Sequence, residues 1–144
     1  MDKLIEIKKL RTHFYTEAGT VKAVEDVSFD ILKGEVLGIV GESGSGKSVT
    51  SLSINRLIPN PPGKIVSGEI LYNGTNLLDL SYEDMRNYRG NDIAMIFQEP
   101  MTSLNPVMKI GKQMNEVLIK HKSLTVEEAT KKSIEMLDAV GIPN

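Results

Sequence analysis

The 144 residues are 40% hydrophobic and 25% charged and contain no cysteine. This composition belongs to an ordinary globular chain and excludes disorder, a disulfide framework, a thiolate zinc site, an iron–sulfur cluster and a cysteine nucleophile within these residues. Lys and Arg number 17 against 19 Asp and Glu, a formal charge of −2, so the basic footprint of a nucleic-acid binder is missing, and no apolar run is long enough for direct membrane insertion. The expected setting is the cytoplasm, with no nucleic acid as partner.

In chain order, Leu4 to Leu10 mixes apolar and charged residues at short spacing and predicts a strand. Val27, Phe29 and Ile31 alternate with Ser28 and Asp30, the period of a half-buried strand. After the turn Lys33-Gly34-Glu35, the continuous apolar run Val36 to Val40 predicts a strand covered on both faces, as in a parallel sheet. Glycines follow, then apolar residues at near-helical spacing from Lys47 to Ile58, with Pro59-Asn60-Pro61-Pro62-Gly63 to stop the helix.

Ile70 to Tyr72 leads into Asn73-Gly74, whose residues tolerate the positive φ of a tight hairpin turn. Ser81-Tyr82-Glu83-Asp84 has the form of a capping box and opens a short helix that stops by Gly90. Ile93 to Phe97 predicts a second central parallel strand. Beyond the loop bracketed by Pro100 and Pro106, the stripe Ile110, Met114, Val117 and Leu118 predicts an amphipathic helix. A last helix starts at Thr125-Val126-Glu127-Glu128 and ends with Gly141 at C′ and Pro143 beyond it. His13 and His121 have no companion ligands in sequence, which argues against a metal site built on them.

The chemistry concentrates in Gly41-Glu42-Ser43-Gly44-Ser45-Gly46-Lys47-Ser48, a complete G-x-x-x-x-G-K-[ST] between a predicted buried strand and a predicted helix. Such glycines let successive backbone N–H groups turn inward, and a helix N-terminus adds its positive end, so a polyphosphate meets many oriented donors. Lys47 supplies a compact cation for the β- and γ-phosphates, and Ser48 offers a hydroxyl oxygen to Mg²⁺. A dinucleotide fingerprint starting at Gly44 fails, because its third glycine position is Val49. The motif alone leaves open another P-loop enzyme, such as a small-molecule kinase, or an interaction module built on the helices from Val107 onward.

With its flanks, the motif resembles the nucleotide-binding subunits of ABC transporters, in particular those of oligopeptide and dipeptide importers. The resemblance is carried by Ala23 to Phe29 with Gly34-Glu35, by the loop Gly41 to Ser48, by Gly68-Glu69-Ile70, and by Ile96-Phe97-Gln98-Glu99-Pro100-Met101-Thr102-Ser103-Leu104-Asn105-Pro106. It implies an α/β fold: a P-loop NTPase (RecA-like) core with an N-terminal antiparallel β part over residues 1–98, and the start of a helical subdomain over 99–144. The implied ligands are ATP and Mg²⁺, held by Gly41, Glu42, Ser43, Gly44, Ser45, Gly46, Lys47, Ser48 and the backbone N–H of Val49. Gln98 falls at the Q-loop glutamine, whose side chain reaches Mg²⁺ and the attacking water, and Phe14 or its neighbour Tyr15 falls at the aromatic that stacks on adenine.

The resemblance further implies transmembrane permease subunits and a second ATPase subunit, identical or not, as partners, at the inner face of the cell membrane. The solute, whether peptide, nickel or another, is chosen elsewhere. No apolar run ending in Asp-Glu, no Leu-Ser-Gly-Gly-Gln signature and no downstream switch histidine occurs in this sequence. The expectation is therefore a truncated ATPase that binds nucleotide without appreciable turnover.

Overall fold

The computed structural model describes residues 2–99 and 104–142; Pro100 to Ser103 and Pro143, which enter the sequence reading, lie outside the described residues. Two compact units follow each other along the chain, Met1–Met85 and Arg86–Asn144.

The first unit is built on an antiparallel sheet. Strand β1 (Lys3–Thr16) pairs with β2 (Gly19–Leu32) on one edge and with β3 (Gly63–Tyr72) on the other, and the short β4 (Thr75–Asn76) follows β3, giving the order β2-β1-β3-β4. β1 and β2 run well past the expected Leu4–Leu10 and Val27–Ile31. The reason lies in bulges: Lys9 and Asp26 have φ of 48° and 58°, and the ladders shift register beside them. A bulged residue reverses the parity of a strand, so the inward set passes from Ile5 and Ile7 to Leu10 and Thr12, all buried. Together with Val24, Ile54, Ile70, Leu77 and Met85 they form the core of this unit. The expected hairpin stands at Asn73 and Gly74, with φ of 46° and 83°, closed by the pair Tyr72 and Thr75.

Helix α1 (Lys47–Ile54) starts where the sequence predicts but ends before Ile58. Arg56 takes φ 52°, its N–H reaches the Ser53 carbonyl and the Leu57 N–H reaches the Leu52 carbonyl. This pair of bonds is a Schellman stop, here without glycine. Arg56 is held in place by its own guanidinium, which donates to the carbonyls of Leu77 at 3.0 Å and Leu80 at 2.7 Å.

The two expected central parallel strands are not formed among the described residues. Val36 and Val40 are 97% and 94% exposed, Ile96 is 98% exposed, and the parallel pairing at the second run is the isolated bridge between Arg89 and Ile93. A strand exists through ladder partners on its edges, and an apolar run of strand composition without them stays an extended exposed segment.

Helix α2 (Tyr82–Tyr88) opens with Ser81, which accepts from the Asp84 N–H at 3.1 Å. In the second unit, α3 (Ile110–Lys122) and α4 (Val126–Ala139) form a hairpin of helices. Gln113 on α3 fixes the approach to that helix, accepting from the Asn105 N–H and donating to the Asn105 carbonyl, both at 2.9 Å. Asn115 on α3 is hydrogen-bonded to Thr130 and Ser133 on α4 at 2.8 Å each, beside the fully buried Ala129.

Helix α4 has both predicted ends. Thr125 and Glu128 make the reciprocal capping box, and Gly141 at φ 79° closes a second Schellman stop through Gly141 N–H to Asp138 and Ile142 N–H to Leu137. The bonds from Thr125 hold the Glu128 carboxyl below its ordinary range, so the box contributes above that range and is lost as pH falls through the lowered value. Thr125→Ala is expected to cost about 1 kcal/mol, measured as loss of helix signal on mild heating, and the difference from wild type should shrink in acid.

Candidate functional site

The loop Gly41 to Lys47 curls ahead of α1 without a side-chain cap, so the first N–H groups of the helix are left for an outside acceptor. Gly46 is the N-cap, at φ 88° and ψ 4°, and its carbonyl starts the helix by accepting from the Thr50 N–H at 2.8 Å. The loop backbone lies so close to β2 that a Cβ on Gly46 would overlap the carbonyl oxygen of Ala23. Only a glycine satisfies both the left-handed backbone and that approach.

Lys47 arches back over the loop that precedes it. Its ammonium donates to the carbonyls of Gly41 at 2.7 Å and Glu42 at 2.6 Å and to Ser45 Oγ at 3.3 Å. Ser45 N–H closes the turn onto the Glu42 carbonyl at 3.2 Å. Lys47 is also one of the residues that line a cavity of about 140 Å³, with Ala23, Gly44, Gly46, Ser48 and Val49. Its lining residues include the uncapped helix start, one lysine and one serine beside the apolar Ala23 and Val49, and the donors among them suit the oxygens of a polyphosphate. Ser48 is one of the lining residues, and a hydroxyl oxygen is the kind of protein ligand Mg²⁺ takes beside waters and phosphate oxygens.

The hydroxyls of α1 bond back along the helix. Thr50, Ser51 and Ser53 donate to the carbonyls four residues back, Gly46, Lys47 and Val49, at 2.9, 3.3 and 2.7 Å. Ser53 and Thr12 of β1, both fully buried, stand 2.9 Å apart. Sequence reasoning missed this contact, and the run of hydroxyl residues in an otherwise apolar helix was the available signal.

Phe14 is half-buried on β1, its ring close to Gly63, whereas Tyr15 is 51% exposed and its N–H donates to the Pro62 carbonyl at 2.9 Å. Beside them His13 donates through Nε2 to Glu25 at 2.7 Å, and this bond holds the Glu25 carboxyl below its ordinary range. The loop Gly41 to Lys47 and the two aromatics belong to the first unit; Gln98 belongs to the second, on an exposed bend after the run Ile93 to Phe97.

A wider cleft of about 680 Å³ crosses the bulges at Lys8, Lys9, Arg11, Asp26 and Gly68. It is a face of paired charges, with Lys8 against Glu6 and Glu69, and Arg11 against Glu25 and Asp26, at 3.3 to 3.9 Å. Size alone would favour it, but the oriented backbone donors and the free helix start belong to the smaller cavity.

The comparisons with known proteins agree with this geometry. The oligopeptide transport ATP-binding protein OppD of Bacillus subtilis (strain 168) is 55% identical over 141 residues, 98% of this chain and 39% of that protein. The dipeptide transport ATP-binding protein DppD of Lactococcus lactis subsp. cremoris (strain MG1363) is 51% identical over 144 residues, 99% of this chain and 41% of that protein. The chain thus spans about two fifths of the length of these curated relatives. Among solved structures, the ATP-binding cassette MJ0796 in a dimeric post-hydrolysis state with ADP and Pi superimposes with a TM-score of 0.78 at 26% identity, covering 93% of this chain and 56% of that one. The sequence profile described as "ABC transporter" matches residues 24–144. The fold as a whole superimposes on ABC transporter cassettes, and the chain belongs to the ABC transporter family.

Proposed function

We propose that this chain forms the nucleotide-binding portion of the ATPase subunit of an importer for di- or oligopeptides, holding the phosphates of ATP in the cavity at the start of α1. The observation that carries the reading is the Lys47 ammonium tied to the Gly41 and Glu42 carbonyls beside uncapped helix N–H groups. Gly41, Glu42, Ser43, Gly44, Ser45, Gly46 and Val49 supply the backbone of the cradle, Lys47 its charge, and Ser48 a ligand for Mg²⁺. When bound, Mg²⁺ would offset phosphate charge; Gln98, in the second unit, is assigned a Mg²⁺-contacting role only by the family resemblance.

Phe14 and Tyr15 are the aromatics for adenine, since stacking requires only a ring face near the base. The peptide class rests on the 55% and 51% identity to proteins named for oligopeptide and dipeptide transport and on the stretch Gln98 to Pro106. Permease subunits and a second ATPase subunit are the partners, which puts the assembly at the inner membrane face. Residues from 99 onward begin the helical subdomain in this division.

Incubated with Mg²⁺ and ATP, the chain alone should retain nucleotide and release phosphate at no steady rate, because the reading supplies it with a cradle and not with a water-positioning carboxylate. Filter retention and a phosphate-release assay check this together. A steady rate abolished by Lys47→Ala would contradict the turnover statement; absence of retention would contradict the whole reading.

A further inference from the structure

We propose that Thr12 and Ser53 are positioning residues that set the aromatic end of β1 against the phosphate loop, so that base and phosphates are held at one fixed separation. The proposal rests on the reading of Gly41 to Val49 as a nucleotide site and of Phe14 and Tyr15 as the base contact.

Both hydroxyls are fully buried and 2.9 Å apart, although the residues lie 41 positions apart in sequence. Their polarity follows from the neighbours. Ser53 Oγ is 2.7 Å from the Val49 carbonyl, which can only accept, so the one Ser53 proton goes there and Thr12 must donate to Ser53. The result is a directed chain from the Thr12 hydroxyl to the Ser53 hydroxyl to the Val49 carbonyl. Val49 itself lines the phosphate cavity, and Thr12 stands two residues before Phe14 on β1.

An apolar pair at these two positions would fill the same space between sheet and helix, without direction. Dispersion contacts tolerate sliding, whereas a hydrogen bond between two buried hydroxyls fixes both distance and angle. At its other end α1 is held by the close approach of Gly46 to the Ala23 carbonyl on β2. That contact locates the loop on β2; the hydroxyl pair locates the helix on β1, the strand that carries the aromatics.

Two ligands separate this role from general stability: MgADP, which spans both parts of the site, and Mg-pyrophosphate, which occupies only the cradle. Thr12→Val keeps the side-chain shape and removes the donor. It should weaken MgADP about five- to tenfold and Mg-pyrophosphate less than about twofold, and Thr12→Ser should restore MgADP affinity to within about twofold of wild type. Equal weakening of both ligands, or of neither, would overturn the proposal, as would failure of Thr12→Ser to rescue. If Thr12→Val shows no cooperative melt, Ser53→Ala must produce the same split from the helix side, and an equal loss there overturns the pair's role. Wild-type chain that binds neither ligand would refute the site reading itself. Wild-type chain that binds pyrophosphate as tightly as ADP would leave no base contact to position, and would overturn this proposal while sparing the cradle.

Discussion

Gly46→Ala is expected to lose about 3 kcal/mol of folding stability and with it the ordered phosphate loop. Two costs add at this one residue. The backbone sits at φ 88°, where any Cβ is strained, and the added methyl would overlap the Ala23 carbonyl oxygen. Neither neighbour can give way cheaply: Ala23 lies in β2 next to Val24, which is paired with Thr12 in the sheet, and Gly46 starts the hydrogen-bond ladder of α1. Gly44 supplies the control, because its φ of 82° is equally left-handed but nothing lies within 4 Å of an added Cβ. Gly44→Ala should therefore cost only the backbone strain, about 1 kcal/mol. Urea denaturation of the two variants separates strain from overlap, and equal losses would show that the approach to β2 does not hold the loop.

Lys47→Ala is expected to reduce MgADP affinity on the order of 100-fold with little change in stability. The ammonium makes two bonds to backbone carbonyls, at 2.7 and 2.6 Å, in a loop that is itself exposed. Losing them exposes carbonyls that water can satisfy, so folding is nearly indifferent. A polyphosphate has no such substitute: without Lys47 the cavity keeps N–H donors and loses its only cation among the lining residues. Lys47→Arg should not rescue, since a planar fork cannot occupy the point between the Gly41 and Glu42 carbonyls that an ammonium fills. Calorimetric titration reads the affinity and thermal melting the stability. Comparable losses in both would mean that Lys47 acts as a tether of the loop and not as a ligand contact.

Much of the site was legible in the sequence because its chemistry is local. Eight consecutive residues specify the loop, and the helix begins within the motif, at Lys47. The hairpin at Asn73-Gly74 and both ends of α4 were legible for the same reason, each being set by residues within one turn. What depended on distant partners was not. The bulges at Lys9 and Asp26 reverse the inside–outside parity, so β1 and β2 read shorter than they are. The end of α1 at Ile54 depends on Arg56 reaching Leu77 and Leu80, more than twenty residues on. The runs Val36 to Val40 and Ile93 to Phe97 carry strand composition, but composition does not supply the neighbouring strands that make a ladder. The contacts that brace the loop from beneath, Ala23 on Gly46 and Thr12 on Ser53, join segments with no common motif.

We take residues 41–49 to form one phosphate-binding cradle at the start of α1. Backbone amide chemical shifts of the isotopically labelled chain, followed during titration with MgADP, test it residue by residue. A cradle there requires the amides of Gly41 to Val49 to move together along one saturable curve, while those of Lys8, Lys9 and Arg11 in the wider cleft stay in place. Shifts centred on that cleft, or no saturable movement of the loop amides, would contradict it.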